Sequence, residues 1–288
     1  MSQQGRGIAG CDPGGSDHDA APQRAKAMSA FYIQQIRDEI TVSGVDARKF
    51  LHSQLANDIA SLAIGESRYS LLLEPTGKIT SLVRVRCVAE DSFILDTESG
   101  FAEITATRLL RFKIRIKCEI VTGSQNYFLF RNLNPEQHEK LVTNFAAVKA
   151  WRGAKLELDA VSVDPKQISD IRQGSISDYE LARVQAFWPI MGVDMTGESI
   201  PSETGLTDVA VSFTKGCYPG QELVERMDSR GATAPRSLRL INAEVGARVG
   251  APVMLDGQEI GIYTSVCQEF ALALIKRSAD SSSIQIGS

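Results

Sequence analysis

Lys215-Gly216-Cys217-Tyr218-Pro219-Gly220-Gln221-Glu222 is the stretch on which the fold and function of this chain turn. It sets a thiol between two glycines, and Leu223, Val224, Arg226 and Met227 follow with the spacing of a helix. Helix N-terminal amides and a nearby cation favour a thiolate, and Lys215 is the cation within this stretch. Gly216 and Gly220 permit positive φ and let the backbone come close to a ligand. An isolated cysteine is more often a small buried hydrophobe, but here the glycines, the lysine and the Gln221-Glu222 pair favour chemistry at Cys217. Cysteine hydrolysis fits poorly, because His18 lies in the N-terminal segment and His52 and His138 fall on outer helix faces without orienting partners.

The other cysteines sharpen this choice. Cys11, Cys87, Cys118 and Cys267 complete an odd set of five with no C-x-x-C pair, which resembles neither a disulfide framework nor a zinc site. Reduced thiols in the cytoplasm are expected. Cys87 and Cys118 fall on the apolar side of predicted strands, and Cys267, opposite Val266 on its strand, is expected to be partly exposed. The 288 residues suggest two or three domains, and 43% hydrophobic with 23% charged residues is a globular composition. With 31 basic against 35 acidic residues, no general electrostatic case exists for nucleic acid or an anionic membrane. No apolar run approaches the ~20 residues that a bilayer demands.

Working outward, residues 1–30 carry glycines and prolines but no aromatic residue, so disorder is expected there, with Met28 as an alternative start. Ile40 and Val42 suggest a short strand, Asp46 a cap for a helix through Phe50 and Leu51, and Tyr69–Leu73 with Pro75-Thr76-Gly77-Lys78 and Ile79 onward a hairpin. A helix is expected from about Phe101 to Leu110. The alternation of Ile114, Ile116, Cys118 and Ile120 with Lys113, Arg115, Lys117 and Glu119 predicts a strand over 113–121. Asn134-Pro135 opens a helix with a stripe of Leu141, Val142, Phe145 and Ala146, and 176–193 reads as largely helical. After Pro235 come short strands, and 278–288 is Ser-rich and expected to be loose.

The eight-residue segment resembles the signature of the YgfZ-type folate-binding proteins, relatives of the glycine-cleavage T-protein (aminomethyltransferase) that help maintain iron-sulfur enzymes. Val42-Ser43-Gly44-Val45-Asp46-Ala47, Pro75-Thr76-Gly77-Lys78-Ile79, Ile200-Pro201-Ser202-Glu203-Thr204-Gly205-Leu206 and Ile260-Gly261-Ile262-Tyr263-Thr264-Ser265 resemble further blocks of the family, in the family's order. The resemblance implies an α+β, three-lobed aminomethyltransferase-like fold around a central opening, with a small C-terminal β-barrel. The expected division is a discontinuous folate-binding-like domain over 31–118 with 175–232, a second α+β lobe over 119–174 and a barrel over 233–277.

The resemblance further implies a tetrahydrofolate-type ligand, with Gly216, Tyr218, Gly220, Gln221, Glu222, Gln185, Arg183 and Glu203 around it and Cys217 and Lys215 in the chemistry. No stably bound metal is expected, and Cys217 is read as a transient cluster ligand. Implied partners are iron-sulfur proteins or cluster-assembly factors, including tRNA-modifying enzymes, for a monomeric cytoplasmic protein. Two departures stand out. Thr80-Ser81 occupy the hairpin position where the aminomethyltransferase branch carries acidic residues, which weakens a one-carbon transferase. Gln185 stands in Arg183-Val184-Gln185-Ala186-Phe187-Trp188-Pro189 where the family often has a glutamate, and a neutral amide accepts less from a pterin than a carboxylate does. A non-catalytic scaffold using the barrel and the Arg226, Arg230, Arg236 and Arg239 region is the third reading.

Overall fold

The structure is a computed structural model that describes residues 29–152, 156–229 and 234–279. Its organising element is β1 (Phe31–Ser43), much longer than the short strand that Ile40 and Val42 suggest. It pairs antiparallel with β5 (Glu119–Arg131) along its whole length and with β4 (Ser92–Thr97) at one end. β2 (Ser67–Leu73), β3 (Ile79–Ala89), β6 (Val148–Lys149) and β7 (Leu158–Val161) complete the order β2-β3-β4-β1-β5-β7-β6, and β8 (Arg172–Gln173) lies parallel to β1. Residues 31–118 and 119–174, read as separate lobes, thus share one sheet.

Both faces of this sheet are covered. α1 (Ala47–Gln54) and α2 (Ala102–Arg111) bury Phe50, Leu51 and Leu109 against Ile40, Val42, Val83, Val85 and Cys87. Elsewhere Phe31, Ile33, Tyr69, Leu71 and Leu129 meet Trp188, Leu206 and Tyr218. The second coverage lets charges go inside: Arg84 donates to Asp96 (2.9 Å) and Asp159 (2.7 Å), Arg131 donates to Asp159 (2.7 Å), and Arg37 donates to Asp96 (2.9 Å). All five of these side chains are buried.

Several local expectations need correction. Residues 113–118 are not a strand; β5 starts at Glu119, Ile114 is 75% exposed and Arg115 takes φ 58°. The Lys117 N–H donates to the Asp46 carboxylate and the Lys117 carbonyl accepts from the Asp46 N–H, so this stretch pairs with the start of α1 instead of a ladder. Asp46 therefore does not cap α1 with its side chain. α3 (Pro135–Asn144) has the expected Asn134 cap, closed reciprocally by Gln137, but of its stripe only Leu141 is buried. α4 (Ile176–Gln185) stops well before 193, where Phe187 adopts φ 50° and Pro189 follows.

The helices α5 (Pro201–Thr204), α6 (Thr207–Ala210) and α7 (Gln221–Ser229) precede the C-terminal sheet. That sheet orders β9 (Arg236–Asn242), β10 (Pro252–Leu255), β11 (Gln258–Cys267) and β12 (Phe270–Lys276) as β10-β11-β12-β9. β9 and β10 are both edges, so among the described residues the expected barrel is an open sheet. Leu238 and Leu272 seat it on Val184 of α4. Cys11, His18, Met28 and Arg230, and nearly all of the two expected loose ends, lie outside the described residues.

Candidate functional site

The segment around Cys217 is anchored on both sides. Ser212 N–H donates to the Ala56 carbonyl, and Asn57 Nδ2 donates to the carbonyls of Val209 (2.8 Å) and Tyr69 (2.9 Å), fastening the incoming chain to the end of α1. Lys215 Nζ donates to the carbonyls of His52 and Leu55 and stands 4.9 Å from the Tyr218 ring centre. These carbonyls close the C-terminal end of α1, where a cation is favoured. Tyr218 is buried against the central cluster, while Cys217 is exposed.

Gly220 anchors the far side. It has φ +86°, and a Cβ there would stand 2.7 Å from the Glu74 carbonyl oxygen and 3.0 Å from Gly77 Cα. Gly77 in turn has φ +84° and would strike Leu223 of α7. The β2–β3 turn and the cysteine signature, far apart in sequence, are thus pressed backbone to backbone. Gly216 differs from the expectation: its φ is not positive, and a Cβ would meet nothing within 4 Å. The Tyr218 N–H is met by Gln221 Oε1 at 3.3 Å, and α7 begins four residues beyond Cys217.

His52 corrects another expectation, since two backbone N–H groups orient its ring. Its Nδ1 lies 3.2 Å from Asp58 Oδ1 and accepts from the N–H groups of Ile59 and Ala60. Burial pushes its pKa down, as does the Lys215 charge, against the opposing pull of Asp58. Lys215 shows the larger effect: burial pushes its ammonium down to about 8, with Asp58 and the Cys217 sulfur acting the other way. Because the folded value lies below that of an unfolded lysine, near 10.4, the buried ammonium costs stability below pH 8. That cost disappears as pH rises from about 8 through the unfolded value. Lys215→Met should therefore flatten the rise in urea midpoint between pH 7.5 and 10; an unchanged slope would show that Lys215 does not titrate there.

The structure puts other predicted residues to other uses. Arg183 is buried and donates to Glu180, Asp194 (2.8 Å), Ser265 (2.8 Å) and the Trp188 carbonyl, tying α4 to the C-terminal sheet. Glu203 is buried, paired with Arg236 at 2.9 Å and accepting from the Ile200 N–H. Gln185 is half-buried, its side chain without a hydrogen bond to another described residue, and Glu222 is exposed. Thr80 and Ser81 are buried, but Glu74 supplies a carboxylate on the other arm of the hairpin, 3.3 Å from Thr80 Oγ1 and paired with Arg111. Sequence reasoning missed Glu74 and Asp58. Each sits a few residues from a residue that was singled out, Thr80 and His52, and that spacing was the available signal.

The family described as the GCVT N-terminal domain (GCV_T) matches residues 27–139, which include the β2–β3 turn facing Gly220. The tRNA-modifying protein YgfZ of Enterobacter sp. (strain 638) is 27% identical over 218 residues, covering 67% of this chain and 65% of that protein. The chain is similar to YgfZ-type relatives of aminomethyltransferase.

An uncharacterized protein of Haemophilus influenzae is also 27% identical, over 83% of this chain and 84% of its own length. The crystal structure of the glycine cleavage system aminomethyltransferase T from Bartonella henselae superposes with a TM-score of 0.70, covering 86% of this chain and 78% of that one. At 20% identity this likeness speaks for the mixed α/β fold alone. Among the described residues no helix is long and apolar enough to cross a membrane. Among the described residues no group of three or more His, Cys, Asp or Glu could hold a metal ion.

Proposed function

We propose that the protein is a folate-binding accessory factor for assembly or repair of iron-sulfur clusters in client enzymes, acting through Cys217. One observation carries the reading: the signature cysteine is exposed on a segment whose two ends are fixed, by Lys215 on α1 and by Gly220 on the β2–β3 turn. A fixed, accessible sulfur suits a bond that forms and breaks with a partner. Cys217 would lose its proton to solvent and replace one ligand of a client's iron, a ligand exchange with no change of oxidation state. Gly216, Tyr218, Gln221 and Glu222 would shape the surroundings. The Enterobacter relative is named a tRNA-modifying protein, and tRNA-modifying enzymes are the clients proposed here.

Folate fits these residues in part. Arg183 and Glu203 already spend their charges within the protein, leaving Gln185 as the polar group of the expected set, other than those of the signature itself, available to a pterin. The cavity between α5, α6 and α7 holds about 120 Å³, below the ~300 Å³ at which pockets for drug-sized ligands begin, so the ligand would lie elsewhere. Neutral Gln185 predicts weak binding, and Gln185→Glu should tighten folinic acid about tenfold in calorimetry. No heat with either protein would remove folate from the proposal.

For the thiol, a Cys217→Ser strain should lose most activity of its iron-sulfur enzymes, while the purified variant keeps the wild-type urea midpoint. Full client activity in that strain would defeat the proposal.

A further inference from the structure

Between its start at Glu119 and Tyr127, the first residue opposite β7, β5 has a neighbouring strand on one side. Residues 119–126 pair with β1, and no described strand takes their other side. The ladder fixes which backbone groups point there. In an antiparallel pair, alternate residues turn both N–H and C=O to the neighbour. The Tyr32 carbonyl accepts from the Gly174 N–H beside β8, on the flank of β1 away from β5, so the even-numbered residues of β1 face away from β5. The odd-numbered ones lie opposite odd-numbered residues of β5, Gln35 against Tyr127 and Ser43 against Glu119, and share the bonds with them. Ile120, Thr122, Ser124 and Asn126 therefore turn N–H and C=O to the open side, where no described group bonds them.

Exposed edges are commonly blunted by lysine, proline or a bulge. Glu119-Ile120-Val121-Thr122-Gly123-Ser124-Gln125-Asn126 carries one charge, no lysine and no proline, and its register with β1 runs unbroken. Val121 is 59% exposed. Such an edge is a template for another strand, and the segment fits itself. Across a twofold axis normal to the sheet, opposite residues share a face, so their numbers add to an even sum. An axis at Thr122 sets Thr122 against Thr122, Ile120 against Ser124, Val121 against Gly123 and Glu119 against Gln125, with no like charges opposed. Ile120, Thr122 and Ser124 then fall in hydrogen-bonded pairs, each exchanging two bonds. The ends fit as well. Tyr127, where β7 begins to cover β5, would come opposite Lys117 of the second copy, which has already left the strand to bond Asp46. Moving the axis to Gly123 would drive Glu119 against Tyr127 and into β7.

We propose that the protein forms a twofold dimer in which β5 pairs antiparallel with β5 of a second copy over residues 119–125, joining the two sheets edge to edge. This departs from the monomer that the family resemblance implies. β1 and β4 separate β5 from the β2–β3 hairpin that holds Gly220, so the paired edge and the Cys217 segment are different surfaces. The dimer stands independently of the iron-sulfur and folate roles.

Sedimentation of the full chain over about 10–500 µM, a span suited to an interface below ~1,200 Å², should show the average mass rising toward twice that of the monomer and no further. In Ser124→Pro the lost N–H faces the open side, so the β1 ladder survives; the variant should stay monomeric with a urea midpoint near that of the wild type. Gly123→Val should tighten association about threefold or more, since the valine would lie against Val121 of the second copy in both halves of the pair. Gly123 has no positive φ and a Cβ there meets nothing within 4 Å, so the fold admits the change.

Amide exchange gives a readout that needs no variant. Exchange at Thr122 and Ser124 should slow about fivefold or more between the lowest and highest concentrations, while Val121 and Gly123, bonded to β1, should not respond. A monomer at every concentration, a dimer that Ser124→Pro leaves intact, or masses beyond a dimer would overturn the proposal. So would protection of Thr122 and Ser124 that is independent of concentration, which would mark a segment of the same chain on this edge.

Discussion

Asp159→Ala should cost about 3–5 kcal/mol, the penalty for stripping a partner from buried charges, and so remove a large share of a typical domain stability of about 5–15 kcal/mol. The Asp159 carboxylate accepts at 2.7 Å from both Arg84 and Arg131, and the side chains of all three are at most 4% exposed. Removing it leaves two guanidiniums facing each other across a space that water does not reach. Arg84 keeps Asp96, whereas Arg131 is left with the carbonyls of Phe130 and Leu158 as hydrogen-bond partners, so the loss falls hardest on Arg131. A triple replacement, Arg84→Met with Asp159→Leu and Arg131→Met, should be less harmful than the single change, because it removes the charges along with their pairing.

The same carboxylate gives a pH signature. Burial alone pushes its pKa up, but the charges of Arg131, Arg84 and Arg37 outweigh burial and hold it below the usual carboxylate value. A depressed folded value means the stabilisation is complete above the unfolded value, about 3.9, and is lost as pH falls through the lower folded one. Urea midpoints of the wild type should fall below about pH 4, and those of Asp159→Ala should fall less steeply in that window. An Asp159→Ala midpoint equal to the wild type at pH 7 would show that the buried network contributes little.

That network also marks the limit of what could be read from the chain. The Tyr69–Ile79 hairpin, α2 and the Asn134 cap were legible because their signals are local: a turn sequence, a helical spacing, a side chain that bonds three residues on. Arg84 was invisible. It alternates with Val83 and Val85, and alternation alone assigns it to solvent. In this sheet both faces are covered, so the outward side is interior and is filled by arginines whose partners lie 12 and 75 residues away. The basic alternation at 113–118 misled for the converse reason, since period-two spacing has no force where Asp46 binds the Lys117 backbone. At the site, the positive φ of Gly220 was legible from the glycine's place in the motif. The grip of Lys215 on α1 was not, because it joins residues 160 or more positions apart.

Gly220→Val is expected to lower stability by about 2–6 kcal/mol, combining about 1–3 for a left-handed backbone with about 1–3 for overpacking. Valine is branched at the carbon that φ +86° tolerates least, and three groups stand within 3.1 Å of it: the Glu74 carbonyl, Gly77 Cα and Leu73 Cβ. Two of these are backbone and cannot rotate away. Relief requires α7 to back off from the β2–β3 turn, which carries the Cys217 segment with it, so iodoacetamide modification of Cys217 should change rate in the variants that remain folded. Gly216→Ala is the matched control: it lies one residue from the same thiol, in open space and without positive φ. It should move the urea midpoint by no more than about 0.5 kcal/mol equivalent. If the two substitutions behaved alike, contact between turn and signature would not be what holds Cys217. If they diverge as expected, the second glycine of the motif exists to seat the loop on the hairpin, and the first is free to serve whatever meets the sulfur.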